Sequence, residues 1–214
     1  MGLNCGCPAG PHLGDLDIAE CKESLGQIQK VILQRIFKTP GVKNTIADLT
    51  KKATLTPLLS AADGTKIVVS PYIYNPTTEP GAARTFGGGN ASLGGVEIII
   101  GREPTTFSGI FYEEMQATIK QLKTYMCENV GVYLIDEYGN IGALANKVAE
   151  PTAYLPIPIG KLFIGDKKLG GFDEPDSNVI EWSFSPNWSD DLVIIKHNTI
   201  DYNPLTDLAN AKSA

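Results

Sequence analysis

Phe111-Tyr-Glu-Glu-Met115-Gln-Ala-Thr-Ile119-Lys-Gln-Leu122-Lys-Thr-Tyr-Met126-Cys-Glu128 decides how the rest of the chain is read. Phe111, Met115, Ile119, Leu122 and Met126 recur at steps of three and four, which stacks them on one face of an α-helix. Ser108 is placed to cap its start. Glu113 and Glu114 lie early and Lys120 and Lys123 late, in keeping with the helix dipole. This helix, about residues 110–128, stands in a sequence otherwise written in short alternating or β-branched runs separated by glycine and proline. The expectation is a mainly β protein: a β-sandwich or barrel-like domain flanked by one amphipathic helix.

Working outward, Gln27 to Phe37 reads as the first strand, with a bulge near Lys30 where polar residues interrupt the apolar series. Thr45 to Lys52 is short enough for a two-turn helix capped by Thr45 or Asn44. Lys66 to Tyr74 is a strand that Pro71 kinks or confines to an edge. Asn75 to Gly95 is rich in Gly, Pro, Asn and Thr and reads as a loop longer than a compact domain tolerates without a functional reason. Val96 to Ile100 reads as a buried strand from its β-branched content.

Beyond the helix, Val130 to Asp136 and Ile141 to Ala145 flank Tyr138-Gly139-Asn140 and predict a hairpin. Tyr154 to Ile164, with Pro156 and Pro158, predicts an edge or bulged strand. Ile180, Trp182 and Phe184 alternate with Glu181 and Ser183 and so describe a core face. Leu192 to Lys196 is the last strand. The organisation is an irregular N-terminal arm (1–26), one β domain (27–200) and a C-terminal tail (201–214).

The chain has 214 residues, 43% of them hydrophobic, enough for a sizeable core. Its 18 Lys and Arg against 24 Asp and Glu leave a net charge of −6. That balance argues against a protein built to grip nucleic acid, yet suits one past which nucleic acid slides. No apolar run reaches the ~20 residues of a membrane span, and the N-terminus has no secretory pattern, so the chain reads as soluble and intracellular in origin. Of four cysteines, Cys5, Cys7 and Cys21 crowd the first 21 residues. With His12 they form a candidate metal set, although Cys5-Gly-Cys7 has one intervening residue where structural zinc sites have two to four. An arm of reduced thiols is the simpler account. Cys127, beside Met126, reads as a small packing residue.

Chemistry is thinly supplied. Phe86-Gly87-Gly88-Gly89-Asn90-Ala91-Ser92-Leu93-Gly94-Gly95 precedes a strand, whereas a phosphate-binding fingerprint follows one and opens a helix. It reads as a loop using positive φ angles. His12 and His197 are the two histidines, a poor supply for nucleophilic catalysis. Glu113-Glu114, Asp136-Glu137, Asp190-Asp191 and Asp173-Glu174-Pro175-Asp176 read as solvated turns and a helix face rather than paired catalytic carboxylates. Trp188, in a turn, is the one aromatic placed for a carbohydrate surface. The expectation is a non-enzyme without a cofactor.

The arm Asn4-Cys5-Gly6-Cys7-Pro8, the strand start Gly26-Gln27-Ile28-Gln29-Lys30, Phe86-Gly87-Gly88-Gly89-Asn90, the helix end Lys123-Thr124-Tyr125-Met126-Cys127-Glu128, and Trp182-Ser183-Phe184-Ser185-Pro186-Asn187-Trp188-Ser189-Asp190 resemble virion structural proteins of tailed bacteriophages. The chain looks most like a tail tube (major tail) protein. That resemblance implies homohexameric rings stacked into a tube that conducts DNA, loops and arms bridging subunits, other virion tail proteins as partners, assembly in the host cytoplasm, and no catalytic residues. It makes Asn75, Arg84, Phe86, Asn90 and Leu93 candidates for contact between subunits. A capsid or neck role and a monomeric carbohydrate-binding module using Trp188 are the alternatives.

Overall fold

Val130–Asp136 is buried along its whole length, and the fold is arranged on its two faces. A strand with no wet face needs apolar cover on both sides, and each side of this one carries its own core. The computed structural model describes residues 24–91, 93–147 and 151–210. In chain order these form β1 (Ile28–Arg35), β2 (Phe37–Thr39), β3 (Val42–Lys43), α1 (Lys52–Leu59), β4 (Ile67–Val69), β5 (Tyr74–Glu79), β6 (Ala83–Gly87), β7 (Glu97–Arg102) and β8 (Thr105–Tyr112). There follow α2 (Gln116–Thr124), β9 (Val130–Asp136), β10 (Ile141–Ala145), β11 (Tyr154–Leu155), β12 (Ile157–Ile164), β13 (Ser177–Phe184) and β14 (Leu192–Ile195). The protein is mainly β, with 43% of it in strands.

The main sheet is antiparallel and ten-stranded. Along one path β1, β9, β12, β13, β8 and β5 are neighbours. Residues 67–79 then bring its ends together: β4 pairs with β1, Ser70 N–H donates to the Val31 carbonyl at 2.8 Å, Ile73 N–H to the Gln29 carbonyl at 2.7 Å, and β5 pairs with β8. The sheet therefore closes into a barrel, which removes the edges of the strands inside it. Inside lie Val31, Leu33, Phe107, Phe111, Val132, Ile157, Ile180, Trp182 and Phe184, with Ile119 and Leu122 of α2 packed against them. Trp182 stacks on Phe107 with centroids 4.0 Å apart and meets Phe184 edge-on. A second core covers the other face of β1 and β9, where Ile32, Tyr133 and Ile135 meet Leu49, Leu55, Ile141, Tyr202 and Leu208. Asn210 closes the outer edge of β4: its carboxamide accepts from Val69 N–H and donates to the Val69 carbonyl, both at 2.8 Å.

Two sequence expectations about helices are corrected. The amphipathic helix is shorter than 110–128: α2 covers Gln116–Thr124 and continues as a 3-10 turn through Cys127. Phe111 and Ser108 belong to β8, where Phe107, Gly109 and Phe111 alternate inward, and Ser108 meets the Thr77 hydroxyl instead of capping a helix. Phe111 satisfies both periods, and the strand register with β13 wins because it pairs eight residues. Met115 caps α2 through its backbone and stays exposed, and Cys127 is exposed rather than packed.

The flanking helix is not alone, since α1 starts at Lys52, where the short predicted helix was to end. Within 45–52, the Asp48 side chain takes the Thr50 N–H and hydroxyl, a local turn that competes with helix formation, and Ile46 bridges to Tyr154. The bulges near Lys30 and in β12 are present, as is the break after β4 at Pro71, but β12 lies between β9 and β13 and is no edge.

Burial of tyrosine hydroxyls gives the outer core a pH limit. Tyr133 donates to Gln34 Oε1 at 2.9 Å and Tyr202 to the Leu49 carbonyl at 3.0 Å. Desolvation pushes both hydroxyls well above their ordinary value of 10.0. Unfolded tyrosines ionise near that value while these stay neutral. Their contribution to stability is therefore complete below it and declines as pH rises above it, by about 1.4 kcal/mol per pH unit for each group. Thermal melts from about pH 9 to 11 should show Tyr133→Phe losing less stability over that range than the parent. Parallel curves would remove Tyr133 as a cause.

Candidate assembly site

β6 and β7 form a hairpin that belongs to neither core. Their pairing is a separate two-stranded sheet, Thr85 opposite Ile99 and Phe86 opposite Ile98, with Ile100 at a bulge. Strand residues alternate, so Phe86 and Ile98 share one face and Thr85 and Ile99 the other. Phe86 is 58% exposed, Ile98 52%, Ile99 55% and Ile100 49%. The expected buried strand at Val96 to Ile100 is thus a strand, but a solvent-facing one: its β-branched content is correct and no layer of the described residues covers it. An isolated two-stranded ribbon is marginal in water, and a cluster of apolar side chains on it marks an interaction surface.

The expected loop from Asn75 to Gly95 is likewise corrected. It contains β5, β6 and two short 3-10 turns, Gly89–Ala91 and Leu93–Gly95. Polar residues dominate there because both faces of β5 and β6 meet solvent along most of their length. Gly87, Gly88, Gly89, Gly94 and Gly95 have positive φ, and together they let the tip reverse direction between β6 and β7.

The hairpin is held at its base. Arg84 Nε lies 3.3 Å from Glu103 Oε1, Glu103 N–H donates to the Ala82 carbonyl at 2.8 Å, and Arg102 hydrogen-bonds the Asn187 side chain. Because β8 runs antiparallel to β13 with Thr105 opposite Phe184, the hairpin leaves the barrel at the end of β8 away from Tyr112.

Arg84, Phe86 and Asn90, read from the sequence as contact candidates, all lie on this one projection, and the backbone of Leu93 runs in its tip. Asn75 does not join them. It sits at a bulge of β5 with φ +48, and its Nδ2 is 3.4 Å from the Tyr112 hydroxyl. Ile98, Ile99 and Ile100 are the site residues sequence reasoning missed, having been assigned to a core.

Cys5, Cys7, His12 and Cys21 lie outside the described residues. Among the described residues, no group of three or more His, Cys, Asp and Glu is arranged to hold a metal ion, and no helix is long and apolar enough to cross a membrane. Phe184 stacks on one face of Trp188, with centroids 4.3 Å apart and planes 17° from parallel, so that face is closed to a sugar.

No protein-family model matches the chain, and no curated protein is similar to it. Among solved structures, the chain is similar over 58% of its length to a protein described as the tail of an empty GTA particle with C6 symmetry. The match covers 86% of that chain at 15% identity and a TM-score of 0.33.

Proposed function

We propose that this protein is a self-assembling structural subunit of a phage-type tail, most simply a tail tube subunit, with no catalytic role. The observation that carries the reading is the β6–β7 hairpin, which is ordered at its base and apolar on both faces. Among the described residues nothing covers Phe86, Ile98, Ile99 or Ile100, and burying the exposed half of each in a partner would stabilise association by about 1 kcal/mol or a little more. A second copy is the partner in this reading. Rings of six copies, stacked into a conduit, are the specific form that the sequence resemblance suggests. The net charge of −6 agrees with DNA passing through, because few cations are available to hold phosphates.

Negative-stain electron microscopy of the purified chain, with its solution mass measured in parallel, tests the proposal. Rings or tubes are expected. A monodisperse particle of 23.0 kDa at all concentrations, the mass of one chain, would falsify self-assembly and leave a monomeric binding module as the reading to pursue.

A further inference from the structure

The segment between β12 and β13, Gly165-Asp-Lys-Lys-Leu-Gly-Gly-Phe-Asp-Glu-Pro-Asp176, is a second projection, built differently from the hairpin. Its stem is closed by paired backbone bonds between Lys168 and Ser177, at 2.7 and 3.0 Å. The Gly171 N–H donates to the Glu174 carbonyl at 3.1 Å, and the Gly170 N–H to Asp176 Oδ1 at 2.9 Å. Lys168 bonds Glu174 at 2.7 Å, and Lys123 of the α2 end pairs with Asp166. The Lys168 ammonium holds the Glu174 carboxyl below the usual carboxylate range, as the Gly170 N–H does for Asp176. A Cβ at Gly170 would lie 2.0 Å from the Glu174 carbonyl oxygen, so only glycine fits the fold of this loop.

All this ordering ends in two large apolar side chains in water: Leu169 is 76% exposed and Phe172 fully exposed. Beside Phe172, Asp173 is exposed and has no ion pair among the described residues. Phe163 and Val179, on the strands that carry the loop, are also exposed and widen the apolar surface.

The β2–β3 hairpin has the opposite charge. Phe37 and Val42 are exposed on it, flanked by Lys38 and Lys43, which have no ion pair among the described residues. Beside it, Arg35, Phe37, Lys38, Pro40, Glu128 and Asn129 line an open depression. In a chain whose acids outnumber its bases, two lysines outside any close ion pair, Lys38 with Asp63 in its electrostatic range, around two exposed apolar residues form a patch suited to an acidic, apolar knob.

The two surfaces come from different parts of the barrel, one leaving β1 and the other joining β12 to β13, with β9 between them. Both lie at the end where β9 begins, since Arg35 is opposite Val130 and β12 runs past Gly131 toward that end. The β6–β7 hairpin lies at the other end of β8 and β13.

We infer that the 165–176 loop of one copy docks on the β2–β3 hairpin of the next, Phe172 and Leu169 against Phe37 and Val42, with Asp173 facing Lys38 and Lys43. The contact is heterologous, joining two different patches, so it propagates from copy to copy and closes only as a ring. Because both patches sit at one end of the barrel, joined copies stand side by side. This inference rests on the proposed self-assembly and adds to it a lateral contact separate from the β6–β7 hairpin.

Charge exchange tests it in the full-length chain, by sedimentation velocity with thermal melts as the check on folding. Phe172→Asp is expected to weaken association at least tenfold while leaving the melting temperature unchanged, since the side chain is fully exposed among the described residues. Asp173→Lys and Lys38→Glu should each weaken association, and the two together should restore it. Normal association by Phe172→Asp and by Lys38→Glu, in a chain whose assembly is lost with Ile99→Asp, would overturn the lateral contact and leave assembly through the hairpin standing. Failure of the paired exchange to restore association would overturn the assigned pairing. Absence of association in the parent chain would overturn self-assembly and this contact with it.

Discussion

Phe86→Asp combined with Ile99→Asp is expected to yield a folded monomer that no longer assembles. The two substitutions place one carboxylate on each face of the β6–β7 hairpin, because Phe86 shares a face with Ile98 and Ile99 shares the other with Thr85. In the free subunit both side chains are more than half exposed, so removing them takes little from either core. In an assembly each would exchange a buried apolar group for a desolvated charge, losing about 1–1.5 kcal/mol of burial at each position before the larger cost of the carboxylate is counted. The sum weakens association at least ~100-fold. Sedimentation velocity and negative-stain images should report monomers, and the thermal melt should move by no more than about 2 °C, the shift that a few tenths of a kcal/mol produces in a chain of this size. Rings formed by the double variant would remove the hairpin from the assembly contact.

The largest effect on folding is expected from Asp136→Ala. Asp136 is completely buried at the end of β9, yet its carboxylate is the hub of the turn into β10. It accepts from Gly26 N–H at 3.0 Å, Tyr138 N–H at 2.9 Å, Asn140 N–H at 2.8 Å and Asn140 Nδ2 at 2.7 Å. Hydrogen bonds to a charged group contribute about 1.5–3 kcal/mol each, and truncation leaves three residues whose donors, now in partly buried bonds, must find another partner. A loss of about 3–5 kcal/mol is expected, or about 10 °C in melting temperature. Asp136→Asn keeps one acceptor oxygen and should lose less. Equal melting temperatures for the alanine variant and the parent would show that solvent replaces these bonds at no cost. The Gly26 bond also ties the first described strand to the turn, so proteolysis near residue 26 should accelerate in the same variant.

How much of this could be read from the sequence depends on which residues carry a single message. Ile180, Trp182 and Phe184 alternate with polar neighbours, and that pattern has one solution, an inward face. Tyr138-Gly139-Asn140 between two apolar runs likewise has one solution, and β9 and β10 pair where expected. Phe111 carried two messages, closing the strand Phe107-Gly109-Phe111 and opening a helical series. Periodicity does not choose between them, whereas eight paired residues with β13 do.

Residues 45–52 had helical composition, but Asp48 and Thr50 bond each other's groups locally, a competition that only geometry displays. For the candidate site, the resemblance named Arg84, Phe86 and Asn90, and they lie together on one projection that the sequence did not announce. Ile98, Ile99 and Ile100 were legible as strand and misread as core, because β-branched side chains report backbone conformation and say nothing of what lies above them. Leu169 and Phe172 were hidden for a related reason. Set singly among glycines, lysines and acids, they have no period, and their exposure follows from a stem made largely by backbone groups.

The double-faced β6–β7 hairpin also bears on stoichiometry. A ribbon with one apolar face has a valence of one: a single neighbour satisfies it, and a two-fold dimer is a complete answer. Here Phe86 and Ile98 ask for cover on one side and Ile99 on the other, so the valence is two. One isologous contact covers the same face on both copies and leaves the second face of each in water. Under the proposed self-assembly, an arrangement in which each contact covers one face of one hairpin therefore has to be larger than a dimer.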